Sequence, residues 1–404
     1  MNNLKLTRRS LLKAGALTGI GAALAACSSA PAAPDKIKIG AVIPLTGRFA
    51  AGGEQVKAGY ELVVEAINKA GGAEFQGKKI PLELIILDDE SDPAKTVQKF
   101  EQLNSSNQVH VYFGGFGSDL HSAAAAIAEK NKIPYMGVAF ALKSIHEKGF
   151  KYLFSPFPKS PQIAATSIEM LAALPNKPAK VIGFIEKSDW GVEMDKAWAV
   201  EAQKRGIQYV KEEYAPGAKD FAPMILKAKE VAADVVVGIP SPPDGIAITK
   251  QMKELDFNPK ASFMIRSSDN LSWITALGKD GDFTLTMPGW ATDVKFPGTA
   301  ELNAAHQAKY GKPAAAVTGP AYAMGQILVD AVKRAKTLDR DGLRDAIAAT
   351  NMTTVTGPVK FAADGVGEVP TVVIQYQNGK QVSVWPEKDA AAKVSYPATP
   401  WKQR

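Results

Sequence analysis

From Ile37 to about residue 265 the chain's hydrophobic pattern switches repeatedly between strand and helix periodicity, and that alternation constrains the fold more than any other feature. Ile37–Ile43 alternates and then runs continuously apolar up to Pro44. Residues 54–69 place Val56, Tyr60, Val63, Val64 and Ile67 at helical spacing and stop at Gly71-Gly72. Residues 80–87 read as the next strand. Asp92-Pro93 then offers a capping side chain with proline at the first helical position, opening a helix to about Asn104. A strand over 109–113, a helix over 118–130 and a strand over 133–138 complete a βαβαβαβ series. Such a series predicts a parallel sheet with helices on both faces.

A second series begins after Pro156 and Pro158. Helices are expected over 161–173, 190–205, 221–231 and 244–255, alternating with strands over 180–185, 207–213, 234–239 and 262–265. The remainder is mixed, with helices near 300–310, 322–336 and 341–349 and short strands around 359–361 and 372–376. Two α/β lobes of similar order imply a cleft between them, because ligands collect at the carboxyl ends of the strands in open α/β sheets.

The first 26 residues stand apart. Arg8-Arg9-Ser10-Leu11-Leu12-Lys13 precedes a small-residue apolar stretch over 14–26, and no acidic residue occurs among them. This is an export signal, too short and too rich in Ala and Gly to span a membrane comfortably. Arg8 and Arg9 fit a twin-arginine signal, with Leu11 where Phe is usual, or an ordinary secretory signal that happens to hold two arginines. Leu24-Ala25-Ala26-Cys27 resembles a bacterial lipobox, which makes Cys27 the expected lipidation site, and residues 27–34 a tether. The chain has this one cysteine, which excludes an intrachain disulfide, a multi-cysteine zinc site and an iron–sulfur cluster. Four of the seven net positive charges lie in the signal, so the remaining +3 makes no case for nucleic acid.

The stretch Val111-Tyr112-Phe113-Gly114-Gly115-Phe116-Gly117-Ser118-Asp119 carries the strongest local chemistry. A strand ends in a glycine-rich turn and a helix starts at or near Ser118. Exposed N–H groups and the dipole of that first turn favour an anion, and a carboxylate is the natural guest. The other reading is that Ser118 or Asp119 only caps the helix. No dinucleotide fingerprint, phosphate loop or nucleophile elbow is present. His110, His121, His146 and His306 lack metal-ligand spacing, and Asp88-Asp89-Glu90-Ser91-Asp92 reads as a strand-to-helix turn.

Several motifs, taken in order, resemble the leucine/isoleucine/valine-binding protein family. They are Ile39-Gly40-Ala41-Val42-Ile43-Pro44-Leu45-Thr46-Gly47, Gly59 in a helix ending Ile67-Asn68-Lys69-Ala70-Gly71-Gly72, Asp88-Asp89 with Asp92-Pro93, and the glycine turn before Ser118. Ile133-Pro134-Tyr135, Lys219-Asp220-Phe221 and Gly357-Pro358-Val359-Lys360-Phe361 with Asp364-Gly365 follow in the same order. The resemblance implies a two-lobed type I periplasmic binding protein fold of class α/β. Each lobe would be a mainly parallel sheet flanked by helices, with the ligand cleft between lobes. It places lobe 1 at 35–157 plus 290–366 and lobe 2 at 158–289 plus 367–400.

The resemblance further implies a solute-binding lipoprotein that delivers a small carboxylate, of the branched-chain amino acid type, to an ABC importer's membrane permease. It would be exported to the periplasm or cell surface, monomeric, without catalysis or cofactor, and held at the membrane by lipid alone. Carried over by position, Ser118 would hold the ligand carboxylate, Ala139 would meet the ligand through its backbone, and Ala141 stands where the family has a threonine. Trp190 would cover the ligand. The acid for the α-ammonium falls near Arg266-Ser267-Ser268-Asp269, with Asp269 displaced from the usual place. Arg266 with Phe116, Phe140, Trp190 and Trp290 as walls opens a second expectation, an aromatic or other apolar carboxylate without an α-ammonium. A ligand sensor of the same fold and a two-domain α/β enzyme are the remaining alternatives.

Overall fold

The computed structural model describes residues 34–404. Arg8, Arg9 and Cys27, and with them the export and lipidation expectations, lie outside the described residues.

Two main sheets organise the chain. The first has five parallel strands in the order Leu82–Asp88, Ile37–Ile43, Val111–Phe113, Tyr135–Met136, Leu153–Phe154. The second has seven, in the order Lys380–Trp385, Val373–Gln377, Thr284–Thr286, Ala261–Met264, Val235–Gly238, Lys180–Glu186, Gln208–Tyr214. Its five earlier strands in chain order are parallel, and the last two join as an antiparallel pair. Val235, Val236 and Val237 are all fully buried, as expected for strands covered by helices on both faces.

In each sheet the chain starts at an inner strand, builds one neighbour, and then crosses to the other side. The strand order therefore reverses beside Ile37–Ile43 in the first sheet and beside Lys180–Glu186 in the second. At such a reversal the two flanking connections diverge and leave a crevice outside the carboxyl ends of the strands. The chain leaves the second sheet after Thr286, forms helices Thr299–Tyr310, Thr318–Arg334 and Arg340–Ala348, and only then returns to it at Val373. Helix Thr318–Arg334 packs on helix Ala50–Lys69. Val366 bridges Ser155, just past the edge strand of the first sheet. No helix among the described residues is long and apolar enough to cross a membrane.

The structure shifts several expected boundaries. The helix expected to begin at Glu54 starts at Ala50, because the small residues Ala50, Ala51, Gly52 and Gly53 carry no periodic signal although Gly52 and Gly53 are buried. The helix from Pro93 ends at Gln102 and continues as a π turn, Leu103–Asn107, which keeps Leu103 buried. The strand expected over 133–138 contracts to Tyr135–Met136. Strands Thr284–Thr286 and Lys380–Trp385 lack a long apolar run and carry no clear strand signal.

Candidate functional site

The crevices of the two sheets meet in one small cavity of about 20 Å³, and every residue that lines it is buried.

On the side of the first sheet, strand Val111–Phe113 runs into Gly114-Gly115. A Cβ at Gly115 would stand 2.7 Å from Pro44 Cδ and 2.8 Å from the Val42 carbonyl oxygen, so only glycine lets this turn lie against the first strand. Gly117 adopts φ +108° and helix Ser118–Asn131 begins at the next residue. Ser118 is 3% exposed, lines the cavity, and its Oγ has no hydrogen-bond partner. Ala139 completes this wall with φ +55°, a left-handed conformation rare outside glycine, while its carbonyl accepts from Gly117 N. Backbone outliers of this kind concentrate at ligand sites.

On the side of the second sheet, Ser188 Oγ accepts from Gly191 N and caps helix Asp189–Lys204, which sets Trp190 at the helix start. The indole Nε1 donates to Ser160 Oγ, and Ser160 Oγ donates to the Ala141 carbonyl, so the ring is tied back to the opposite wall. Beyond strand Ala261–Met264, Arg266 adopts φ +74°, ψ −46°, close to the rare γ-turn. Its Nη2 donates to Glu186 at 2.7 Å and to the Ile239 carbonyl, and its Nε donates to the Pro240 carbonyl. Asp269 accepts from the Thr286 hydroxyl. Burial pushes the Asp269 carboxyl up to about 6, against the hydrogen bonds from Thr286 and from the Arg266 backbone and the attraction of the Arg266 charge.

The structure thus brings Phe116, Ser118, Ala139, Ala141, Trp190, Arg266 and Asp269 around one cavity. Three further candidates lie elsewhere. Phe140 is sandwiched between His121 and His146, with Lys159 Nζ 3.5 Å from its ring centroid. Ser267 donates to the Met264 carbonyl. Trp290 is fully buried in a separate apolar cluster with Leu62 and Leu302. Sequence reasoning missed Phe157, Ile163, Ile265 and Met287, which give the cavity its apolar lining. It also missed Glu186, whose only signal was an acidic residue closing an apolar strand.

Other polar motifs are structural. Asp92 accepts from Ala94 N and Lys95 N and caps its helix, while Asp88 holds Leu45 N and Thr46 Oγ1. The Nδ1 of each histidine meets a backbone group: Lys38 N for His110, and the carbonyls of Gly117, Asp364 and Lys312 for His121, His146 and His306. No metal-ligating cluster occurs among the described residues.

Residues 36–381 match the family described as periplasmic binding protein. The Leu/Ile/Val-binding protein homolog 7 of Brucella abortus (strain 2308) is 25% identical over 400 residues, covering 94% of this chain and 99% of the relative. A leucine-binding protein from Thermotoga maritima superposes with a TM-score of 0.79 at 22% identity, over 86% of this chain and 97% of that one. A solute-binding protein from R. palustris, solved with benzoate, gives 0.76 at 22% identity, over 89% and 98%. Both solved structures share this two-sheet architecture.

Proposed function

The chain belongs to the periplasmic binding proteins, and from that premise we propose that it captures a small amino acid of the branched-chain type by closing its two lobes, then presents it to an ABC importer's permease. The lobes are 35–157 plus 290–366 and 158–289 plus 367–400, a division supported by the first sheet taking its strands from 35–157, the second from 158–289 and 367–400, and helix Thr318–Arg334 packing on helix Ala50–Lys69. The single observation that carries the reading is the unpartnered Ser118 Oγ, buried in a cavity walled from both sheets. A hydroxyl at the first turn of a helix, with free N–H groups beside it, suits a carboxylate.

The opposite wall favours an α-ammonium. Glu186 neutralises Arg266 in a buried ion pair, so the guanidinium brings no net charge for a lone carboxylate. Asp269 is the acid left over on that wall. This charge balance favours an amino acid over an apolar acid lacking the ammonium. Phe157, Ile163, Ile265 and Met287 offer the apolar surface a side chain needs. Export directed by Arg8-Arg9 and lipidation of Cys27 complete the proposal, placing the protein outside the cytoplasm on a lipid anchor.

A thermal-shift screen against amino acids and aromatic acids tests it. Amino acids are expected to stabilise the protein, and Ser118→Ala to remove most of that shift. Stabilisation only by compounds without a carboxylate would overturn the Ser118 assignment, and stabilisation only by aromatic acids would overturn the Asp269 assignment.

A further inference from the structure

We propose that Lys159 is a positioning residue for the ligand: from behind the cavity its Nζ holds the turn 139–141 in the shape that faces the ligand and fastens that turn to the crossings between the lobes. The inference rests on the cavity being the ligand site, as read above, and goes further, to what keeps that site in shape.

The turn needs holding. Ala139 and Ala141 both line the cavity, and Ala139 sits at φ +55°, a conformation that a Cβ disfavours. Such a conformation persists only where the surroundings over-determine it. All three carbonyls of the turn are bonded. That of Ala139 accepts from Gly117 N at 3.2 Å, and that of Ala141 accepts from Ser160 N at 2.9 Å and Ser160 Oγ at 3.0 Å. The middle one, on Phe140, accepts from Lys159 Nζ at 2.9 Å. The Phe140 ring is stacked on His121, and Nζ lies 3.5 Å from its centroid, so Lys159 meets this residue at both backbone and side chain.

A lysine is a costly choice for this place. Lys159 is 2% exposed, and no other lysine is buried among the described residues. Its hydrogen-bond partners are the Phe140 carbonyl and, at 2.7 Å, Ser155 Oγ, neither of them charged. Burial pulls its pKa well below the ordinary lysine value, against the attraction of Glu193 and Asp364. Methionine would fill a similar space without taking a charged or polar group out of water. What the lysine adds is N–H donors at the end of a long stem.

The two acceptors belong to parts of the molecule that have to stay in register. Phe140 is the centre of the turn that faces the ligand. Ser155 follows the edge strand Leu153–Phe154, and its backbone is bonded to the later crossing: Ser155 N donates to the Gly365 carbonyl and Gly367 N to the Ser155 carbonyl, each at 2.9 Å. Lys159 itself opens helix Ser160–Ala173, which packs on helix Asp189–Lys204, the helix that carries Trp190. One side chain therefore joins the turn, two of the crossings between the lobes and the first helix of the second lobe. Lys159 does not line the cavity, so it reaches the ligand only through the turn.

Calorimetric titration of the purified protein with leucine, run well below its melting temperature, tests the inference. Lys159→Met is expected to weaken leucine binding roughly tenfold or more, as the loss of a buried hydrogen bond to the turn predicts. Without ligand, the methyl resonance of Ala139 is expected to move in Lys159→Met, while that of Ala228, on a helix of the second lobe, stays; Ala139→Gly and Ala228→Gly identify the two signals. Ser155→Ala frees Nζ from the crossing but leaves the Phe140 bond, so its effect is expected to be smaller, about two- to fivefold. It decides the matter if Lys159→Met does not fold. Leucine affinity unchanged in these variants would make Lys159 a residue of the fold alone and overturn the inference, whatever happens to the melting temperature. Should leucine fail to bind the unmodified protein, the branched-chain reading falls by itself. The Ala139 resonance then judges Lys159: displaced, it supports the inference, and unmoved, it overturns it.

Discussion

The two walls of the cavity are built on opposite plans. Around the turn before Ser118 the chain uses small residues and leaves a polar atom, Ser118 Oγ, unpaired. Around Arg266 it gathers charges and pairs them with one another, the guanidinium with Glu186 and two carbonyls, and Asp269 with Thr286. The first wall keeps an open valence for a ligand at little structural cost. The second is held together by its own electrostatics, so disturbing it disturbs the fold. Stability therefore leans on the second wall more than on the first, although each wall offers the ligand a group, and substitutions should reveal which wall they touch.

The largest effect is expected on the second wall. Glu186→Ala leaves Arg266 buried without its counter-charge and should cost about 3–5 kcal/mol of stability. Thermal or urea unfolding measures it, and the double replacement Arg266→Met with Glu186→Gln should recover much of the loss. An equal loss in single and double variants would show that the pair is not the source.

Ser118→Ala sharpens the contrast from the other side. It removes a donor that pairs only when ligand is bound, so affinity should fall roughly ten- to a hundredfold, in line with ~1.5–3 kcal/mol for a hydrogen bond to a charged group. The melting temperature without ligand should stay level or rise, since a buried unpaired hydroxyl is gone. A drop in that temperature with unchanged affinity would place Ser118 with the fold instead.

Acid acts on Asp269 with opposite signs on binding and stability. The ammonium needs the ionised carboxylate, whose pKa without ligand is raised to about 6. Affinity should therefore be level above about pH 7 and fall below pH 6, by up to about tenfold per unit. Between about pH 4 and 6 the folded chain holds a proton that the unfolded chain has released, so this group makes the empty protein more stable as pH falls. Calorimetry across pH 5–8 reads the first trend and thermal unfolding reads the second. Affinity unchanged down to pH 5 would remove Asp269 from the ligand's shell.

The smallest effect is expected where the walls join outside the cavity. Glu193, on helix Asp189–Lys204, accepts from Lys143 N at 2.7 Å and Ser144 N at 2.9 Å, on a segment inserted between two strands of the first sheet. Glu193→Gln keeps one acceptor and loses the other, worth about 1 kcal/mol. Ligand release in stopped-flow should quicken roughly fivefold, with little change in the cavity's preferences.

How much of this was legible in the sequence follows the same division. The alternation of periods reports burial along one element, so the parallel sheets, the helix starting at Ser118 and the Asp92 cap could all be read locally. The short strand Thr284–Thr286 could not, because it is defined by its neighbours on either side and not by a long apolar run of its own. Arg266 read as a charge available to a ligand carboxylate, because the acid that pairs it is not its neighbour in the chain. Its partner is Glu186, 80 residues earlier. Phe140 and Trp290 read as cavity walls because an aromatic side chain looks alike to sequence whether it faces a ligand or a histidine stack.

Residues close together in the chain suffice for the α/β class and for the glycine turn that frees Ser118, and the ordered run of motifs from Ile39 to Gly365 suffices for the family. Which charges cancel and which remain for a ligand emerges when the chain is folded. That outcome depends on the distances between strand ends brought side by side from segments far apart in the chain, and electrostatic interaction in a buried cavity is set by those distances.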